Sequence, residues 1–213
     1  MKGGERNMQW DTLANEATIK KTVAALKEAN IEAVVVETGE EARDKVLEML
    51  PKKAEVMTMS SLTLDTIGLP KEINESGKYD SVKSKLNKLN RETDGREMQK
   101  IGSSPEWTIG SVHAVTEDGK VVIASNTGSQ LPAYAYGSAH VIWVVGTQKI
   151  VKNLDDAMTR IYDYILPLES VRLRKQYNLP DTVNSNVSKL LIINKEFVPQ
   201  RVTIIFVKEK LGF

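Results

Sequence analysis

The chain has no cysteine among its 213 residues. It therefore has no disulfide, no thiol nucleophile and no cysteine ligand for zinc or for an iron–sulfur cluster. Redox chemistry carried by thiols of this chain is excluded.

The chain also has no marked excess of positive or negative charge. The 29 Lys and Arg side chains nearly balance the 28 Asp and Glu side chains, which leaves a formal net charge of +1. Such a balance gives no broad electrostatic attraction for nucleic acid or an anionic membrane. No apolar run approaches the roughly 18 residues that span a bilayer, and the first residues show no secretory signal. We expect a cytoplasmic protein that binds neither nucleic acid nor membrane.

Several catalytic signatures are missing from the sequence. It has no Gly-x-Gly-x-x-Gly fingerprint, no Walker loop, no Gly-x-Ser-x-Gly elbow and no His-Glu-x-x-His zinc helix. The two histidines, His113 and His140, lie far apart in predicted strands, which favours structural roles over metal ligation or acid–base chemistry. We predict no metal and no cofactor, and the residues leave open whether the chain is an enzyme.

Apolar residues alternate between helical and strand-like spacing. Ile19, Val23 and Leu26 form one buried helical stripe within residues 16–30, and the β-branched run EAVVVE then predicts a strand covered on both faces. A second helix up to Pro51 and a second strand, EVMTM, follow. This order predicts an α/β fold with a mostly parallel, doubly wound sheet.

The second half of the chain predicts further strands. An Asp-Gly turn ending at Gly119 separates TIGSVHAV from KVVIA and indicates a hairpin, HVIWVVG is expected to be central, and KLLIIN and RVTIIFV come last. Asn153 is expected to cap a helix that Pro167 interrupts. Residues 71–100 are highly charged and predict an outer helix with a solvated face, the alternative being a mobile lid. With no linker or repeat, we expect one domain over residues 1–213.

A polar turn follows the strand EVMTM. Ser60, Ser61 and Thr63 stand where that strand should end and a short helix begin. Unpaired backbone N–H groups and hydroxyls at such a place suit an anion. In the alternative interpretation, Ser60 or Ser61 only caps the helix.

A second polar turn, Asn126, Thr127, Gly128 and Ser129, follows the strand VVIA. Gly128 can adopt a positive φ or let a ligand approach the backbone, while its neighbours offer short polar contacts. A plain turn remains the alternative. Because ligands of open α/β sheets lie beyond the carboxyl ends of strands, two such turns favour a shared binding site.

Two charged residues are weaker candidates. Lys149, just after HVIWVVG, would complement an anion, although a solvated lysine is the simpler interpretation. Glu106 precedes Trp107, and a carboxylate desolvated by the indole would be a candidate general acid or base.

Three stretches resemble the LUD domain family, which includes lactate utilisation protein C and is also called DUF162. The longest begins WTIGSVHAVTEDGKVVIASNTGSQLPAYAYGSAHVIWVVGTQKIV and resembles the family's signature half, while VMTMSSLTLDTIGL resembles its first Ser/Thr turn and VPQRVTIIFVKEKLGF its last strand. The resemblance implies a three-layer α/β/α fold similar to the ribose-5-phosphate isomerase, glucosamine-6-phosphate deaminase and CoA-transferase group. It also implies a role in oxidising L-lactate to pyruvate alongside iron–sulfur partner proteins.

The chain departs from this family pattern at both turns. Ser125 and Asn126 stand where many LUD domains have an acidic residue, and Met59 stands where phosphate-binding relatives often place glycine. Three hypotheses follow. The chain is a component of lactate or 2-hydroxy acid utilisation that binds a small anionic metabolite or a partner, an enzyme of the isomerase or CoA-transferase type, or a structural module that forms a homo-oligomer.

Overall fold

The structure, a computed structural model, describes residues 10–213, which form two sheets and surrounding helices. The strands are β1 (Glu32–Val36), β2 (Glu55–Thr58), β3 (Asp80–Ser81), β4 (Trp107–Gly110), β5 (Ala114–Thr116), β6 (Val121–Ser125), β7 (His140–Gly146), β8 (Ile150–Val151), β9 (Lys189–Ile193) and β10 (Val202–Val207). The α-helices are α1 (Glu16–Glu28), α2 (Gly39–Met49), α3 (Leu62–Thr66), α4 (Leu69–Glu75), α5 (Val82–Leu86), α6 (Gly95–Ser103), α7 (Leu154–Thr159) and α8 (Leu166–Tyr177).

The larger sheet has the strand order β1-β10-β7-β4-β2-β3, and all neighbouring strands are parallel. The run HVIWVVG forms β7 in the middle of this sheet, as predicted. Helices α2, α3 and α4 pack on one face of the sheet, and α1 and α5 pack on the other. The predicted α/β fold, with an open parallel sheet between two helical layers, is confirmed.

A smaller sheet of order β8-β5-β6-β9 shares a hydrophobic cluster with one face of the larger sheet. Its β5–β6 hairpin turns at Gly119, where φ is +86°, as the Asp-Gly signal predicted. The run TIGSVHAV, however, is not one strand, because β4 belongs to the larger sheet and β5 to the smaller. The chain passes between the sheets after Gly110, where a Cβ would lie 1.7 Å from the Tyr134 hydroxyl oxygen.

Strand β1 corrects one sequence-based expectation. EAVVVE predicted a strand covered on both faces, yet β1 is the edge of the larger sheet and Val35 is 36% exposed. Apolar content alone does not distinguish a β-branched edge strand from a central one.

The charged segment 71–100 forms short pieces where one outer helix was expected. The end of α4, strand β3 and helices α5 and α6 follow one another. Gly77, at φ +73°, ends the first piece, and Ser81 caps the next by accepting a hydrogen bond from the Ser84 N–H. The lid interpretation stays a prediction.

Helices α7 and α8 are joined by a π-helical turn, Arg160–Ile165. Asn153 caps α7 by accepting a hydrogen bond from the Asp156 N–H at 2.9 Å, as predicted. Pro167 does not break the helix as expected: the backbone stays helical through the π turn, and Pro167 lies in the first turn of α8. The wider turn just before it accommodates a residue that has no N–H to donate and would crowd an ordinary helical carbonyl. Across residues 10–213, no helix combines the length and apolar character needed to cross a membrane.

Candidate functional site

A cavity of about 380 Å³ lies at the carboxyl ends of the parallel strands, where the smaller sheet and helix α8 meet the larger sheet. Because the strands are parallel, the segments after β2, β4 and β7 reach the same edge. The turn after β6 and the side chains of α8 form the opposite wall.

Seven of the nine residues singled out from the sequence line this cavity. They are Ser60, Ser61, Thr63, Asn126, Thr127, Ser129 and Lys149. Gly128 belongs to the same turn, where φ of +84° sets the chain direction, but it is not a lining residue. The structure thus brings the two polar turns to one place.

Glu106 is not brought to the cavity. It is exposed and precedes β4 at the amino end of the sheet, the edge opposite the polar turns. The indole of Trp107 stacks on the His140 ring with a 4.1 Å centroid separation, and the Glu106 N–H donates to the Glu55 carboxylate at 3.2 Å. An exposed carboxylate at this edge has no contact with the cavity.

Lys149 lies at the centre of the site. The 3₁₀ turn Thr147–Lys149 follows β7 and buries the lysine to 3% exposure, in contrast to the solvated lysine that was the simpler interpretation. Its Nζ donates to the Thr63 Oγ1 at 3.0 Å and to the Ser111 Oγ at 3.1 Å. Burial, together with the nearby Arg160 charge, lowers the pKa of Lys149 to about 7.

Behind Lys149 lies a second buried cation, Arg160, which is 0% exposed. Its Nη1 donates to the His113 carbonyl at 2.7 Å and its guanidinium lies 5.4 Å from the centre of the Tyr164 ring. Its Nε and Nη2 have no hydrogen-bond partner within the described residues. Burial lowers the pKa of Arg160 to about 10.

His113 also lines the cavity, close enough to both cations to feel their charges. Its Nδ1 accepts a hydrogen bond from the Ala124 N–H at 3.2 Å, which puts the proton of the neutral ring on Nε2. Burial, Lys149 and Arg160 lower the pKa of His113 to about 3. The ring is therefore neutral at neutral pH and adds no third positive charge.

The first polar turn keeps hydroxyl groups available. Ser61 stands at the N-cap of α3, yet its side chain makes no capping hydrogen bond. The Ser60 hydroxyl lies 3.5 Å from the Lys83 Nζ. The Thr63 hydroxyl is already hydrogen-bonded, because its Oγ1 donates to the Leu211 carbonyl at 3.2 Å and accepts from Lys149.

The second polar turn is held mainly by its own side chains. The Ser125 Oγ accepts from the Gly128 N–H at 2.8 Å and donates to the Gln130 Oε1 at 2.9 Å. Thr127 and Ser129 are joined through their hydroxyls at 3.1 Å. These bonds give the wall a fixed shape, with the turn's polar atoms at the surface of the cavity.

The charges lining the cavity favour an anion. The charged side chains there are Lys83, Arg91, Lys149, Arg172 and Glu169. Arg172 holds Glu169 in a bidentate ion pair at 2.6 and 2.7 Å, which leaves the other three cations without an ion-pair partner in the described chain. Burial and the charge of Arg91 lower the pKa of Lys83, and the Asp65 carboxylate offsets part of that effect.

Sequence reasoning missed several lining residues: Lys83, Arg91, Ser111, His113 and Arg172. Ser111 was detectable, because it directly follows the strand run TIG and hence stands at a carboxyl end. Lys83 and Arg91 had no such signal, since they lie in a segment whose composition is that of a solvated surface. Among the described residues, no cluster of histidine and carboxylate side chains suits a metal ion.

Comparison with known proteins agrees with this fold. The family model of the LUD domain matches residues 19–207. A crystal structure of a DUF162 family protein from Deinococcus radiodurans superposes with a TM-score of 0.55 and 11% sequence identity, covering 92% of this chain and 99% of that one. No curated protein matches the sequence. The structural likeness concerns the fold alone, whereas the family model spans most of the chain, so the chain belongs to the LUD domain family.

Proposed function

We propose that the cavity binds a small 2-hydroxy or 2-oxo carboxylate of the lactate and pyruvate type, as a component of 2-hydroxy acid utilisation. The observation that carries the proposal is a buried lysine, Lys149, whose Nζ contacts only hydroxyl groups inside a cavity lined by further cations. A buried cation without a carboxylate partner is costly. An anionic ligand would supply the missing charge.

The size and polarity of the site suit this ligand class. Lys83 and Arg91 carry positive charge toward the outer part of the cavity, since Arg91 is exposed and Lys83 only half-buried. In the proposed pose they attract the carboxylate, while Lys149 with Thr63 and Ser111 meets the oxygen on C2.

The electron acceptor in this proposal is another protein. Oxidation of a 2-hydroxy acid to a 2-oxo acid releases a pair of electrons, and a chain without cysteine has no thiol or cysteine-bound cluster to take them. The family resemblance points to iron–sulfur partner proteins for that step. The chain's contribution would be to bind the acid or to present it to such a partner.

Isothermal titration calorimetry tests the binding. L-Lactate and pyruvate are expected to bind the full chain, while lactamide, which has the same hydroxyl but no charge, is expected to bind much more weakly. Lys149→Met should weaken lactate binding, and Lys152→Met, a matched change at an exposed lysine, should not. Absence of binding by both acids, or unimpaired growth on lactate after loss of the gene, would refute the proposal.

A second candidate is an isomerase or CoA-transferase-like enzyme acting on a phosphorylated or acyl-CoA substrate. The depressed pKa of Lys149 favours it, because an amine that is partly neutral near pH 7 can accept a proton in a catalytic step. Turnover of such a substrate that disappears in Lys149→Met and persists in Glu106→Gln would support this candidate. Glu106→Gln is the appropriate control because Glu106 is exposed at the opposite edge of the sheet.

A further inference from the structure

We infer that Lys149 is a covalent site: its Nζ condenses with the C2 carbonyl of a 2-oxo acid bound in the cavity and forms an imine. The inference deepens the proposed function, on which it rests, by assigning chemistry to the same site. It concerns the oxidised member of the ligand pair, since a 2-hydroxy acid has no carbonyl to react.

The surroundings of Lys149 are those of an amine nucleophile. Its side chain is 3% exposed, and within the described residues its Nζ is hydrogen-bonded to two hydroxyl groups and not to a carboxylate. Surface lysines, by contrast, carry charge and water that block attack on a carbonyl. Desolvation and an adjacent cation, here Arg160, are the two conditions that activate a lysine for imine formation.

Its hydrogen-bond partners suit the proton transfers of the reaction. Thr63 and Ser111 each present a hydroxyl within 3.1 Å of Nζ, and a hydroxyl can accept one proton while donating another. Next to them Gly212 has a positive φ of +63°, and a Cβ there would lie 2.6 Å from the Thr63 Oγ1 and 3.6 Å from Nζ. A side chain at this position would displace Thr63, so glycine lets the chain pack closely against the hydroxyl that accepts from Lys149.

The step balances without any oxidant or reductant. The neutral amine attacks C2, a C–N bond forms, and the carbonyl π electrons move to oxygen, which takes up a proton to give a carbinolamine. Nitrogen loses one proton as the neutral carbinolamine forms. The hydroxyl then takes up a second proton and leaves as water while the C=N bond forms, and nitrogen gives up its remaining proton. Amine plus 2-oxo acid becomes imine plus one water.

Several other ionisable groups surround this amine and set the charge of its environment. Arg160 lies behind it, His113 beside it is neutral, and Lys83, Arg91, Arg172, Glu169, Tyr134 and Tyr177 line the rest of the cavity. Because the cations lie around the ligand, the carboxylate of a 2-oxo acid can remain charged while its carbonyl meets Lys149.

Reductive trapping tests the inference. The full chain is incubated with pyruvate and sodium cyanoborohydride near neutral pH, and peptides are mapped by mass spectrometry. The expected result is one reduced pyruvate adduct on Lys149, protected by excess lactate, present in Lys152→Met and lost in Lys149→Met. Lys149→Arg serves as a second variant if the methionine chain does not fold, and the wild-type peptide map locates the adduct without any variant.

The possible outcomes separate the two ideas. If pyruvate binds by calorimetry but leaves no adduct on Lys149, or labels only exposed lysines, the covalent site is refuted and the binding proposal stands. If neither lactate nor pyruvate binds and no adduct forms, both are refuted. An adduct on Lys149 that lactate does not suppress would support the covalent site while contradicting a shared site for the two acids.

Discussion

Replacing Lys149 by methionine should change how the stability of the protein depends on pH. Methionine has a similar length and is apolar, so it fills the buried space without a charge. The pKa of Lys149 is lowered from 10.5 to about 7 by burial and by Arg160. Since one pKa unit corresponds to ~1.4 kcal/mol, carrying the ammonium costs the folded state about 5 kcal/mol at acidic pH.

The direction of the effect follows from proton binding. Between the two pKa values of Lys149 the unfolded chain holds a proton on this amine and the folded chain does not, so wild-type stability rises with pH in that interval. The methionine variant lacks this contribution. From about pH 7 to pH 9 the stability of the wild type relative to the variant should therefore rise by about 2 kcal/mol, since the folded amine is still half protonated at pH 7.

Urea unfolding of both proteins across this interval measures the difference. Methionine also removes the hydrogen bonds from Nζ to Thr63 and Ser111, but that change is independent of pH and does not affect the slope. His113 and Arg160, whose pKa values are lowered to about 3 and about 10, titrate outside most of the interval. Lys152→Met is expected to show no slope, and a flat difference for Lys149→Met would refute a lowered pKa at this amine.

Three further changes test the fold and the charge balance of the cavity. Gly110→Ala should destabilise the chain by several kcal/mol in denaturant unfolding, because its Cβ would lie 1.7 Å from the Tyr134 hydroxyl oxygen, and adding Tyr134→Phe should recover part of the loss. Asn153→Ala should lower the free energy of unfolding by ~1 kcal/mol through loss of a helix cap, whereas an unchanged value would show that the cap is dispensable. Arg172→Met leaves Glu169 without its ion pair, so lactate affinity measured by calorimetry should fall by up to about tenfold, or ~1.4 kcal/mol, and an increase would contradict an anion site.

The sequence predicts the parts of the site that depend on local chemistry. Hydroxyl residues and glycine directly after a β-branched run stand at the carboxyl end of a strand, and parallel strands bring such ends together. Ser61 and Thr127 are found where that reasoning places them, on one cavity. The central position of β7 follows similarly from an unbroken apolar run.

What the sequence does not predict depends on packing between distant segments. Lys149 is a buried amine whose hydrogen-bond partners, Thr63 and Ser111, come from the ends of two other strands. Local composition around Lys149 is indistinguishable from that of a solvated lysine. Glu106 is the opposite case, a residue that the sequence suggested for the site and that the fold leaves outside it. An adjacent indole desolvates a carboxylate only if both are buried, whereas here Trp107 stacks on His140 and Glu106 stays exposed.

The energetics of the two buried cations argue that the cavity is more than a packing defect. Lys149 and Arg160 are both almost inaccessible, and burial lowers the pKa of each. The charge of Arg160 lowers the pKa of Lys149 further, and no buried carboxylate among the described residues pairs with either side chain. An apolar side chain at residue 149 would avoid this cost of burying a charge, about 5 kcal/mol, which is comparable to the net stability of many domains. Positions that violate the rules of a stable core are typically those where binding or catalysis takes place, because stability is sacrificed there for function. If the proposed function holds, an anionic 2-oxo or 2-hydroxy acid supplies the negative charge that this part of the fold lacks, and the stability of the protein should then rise with the concentration of the acid.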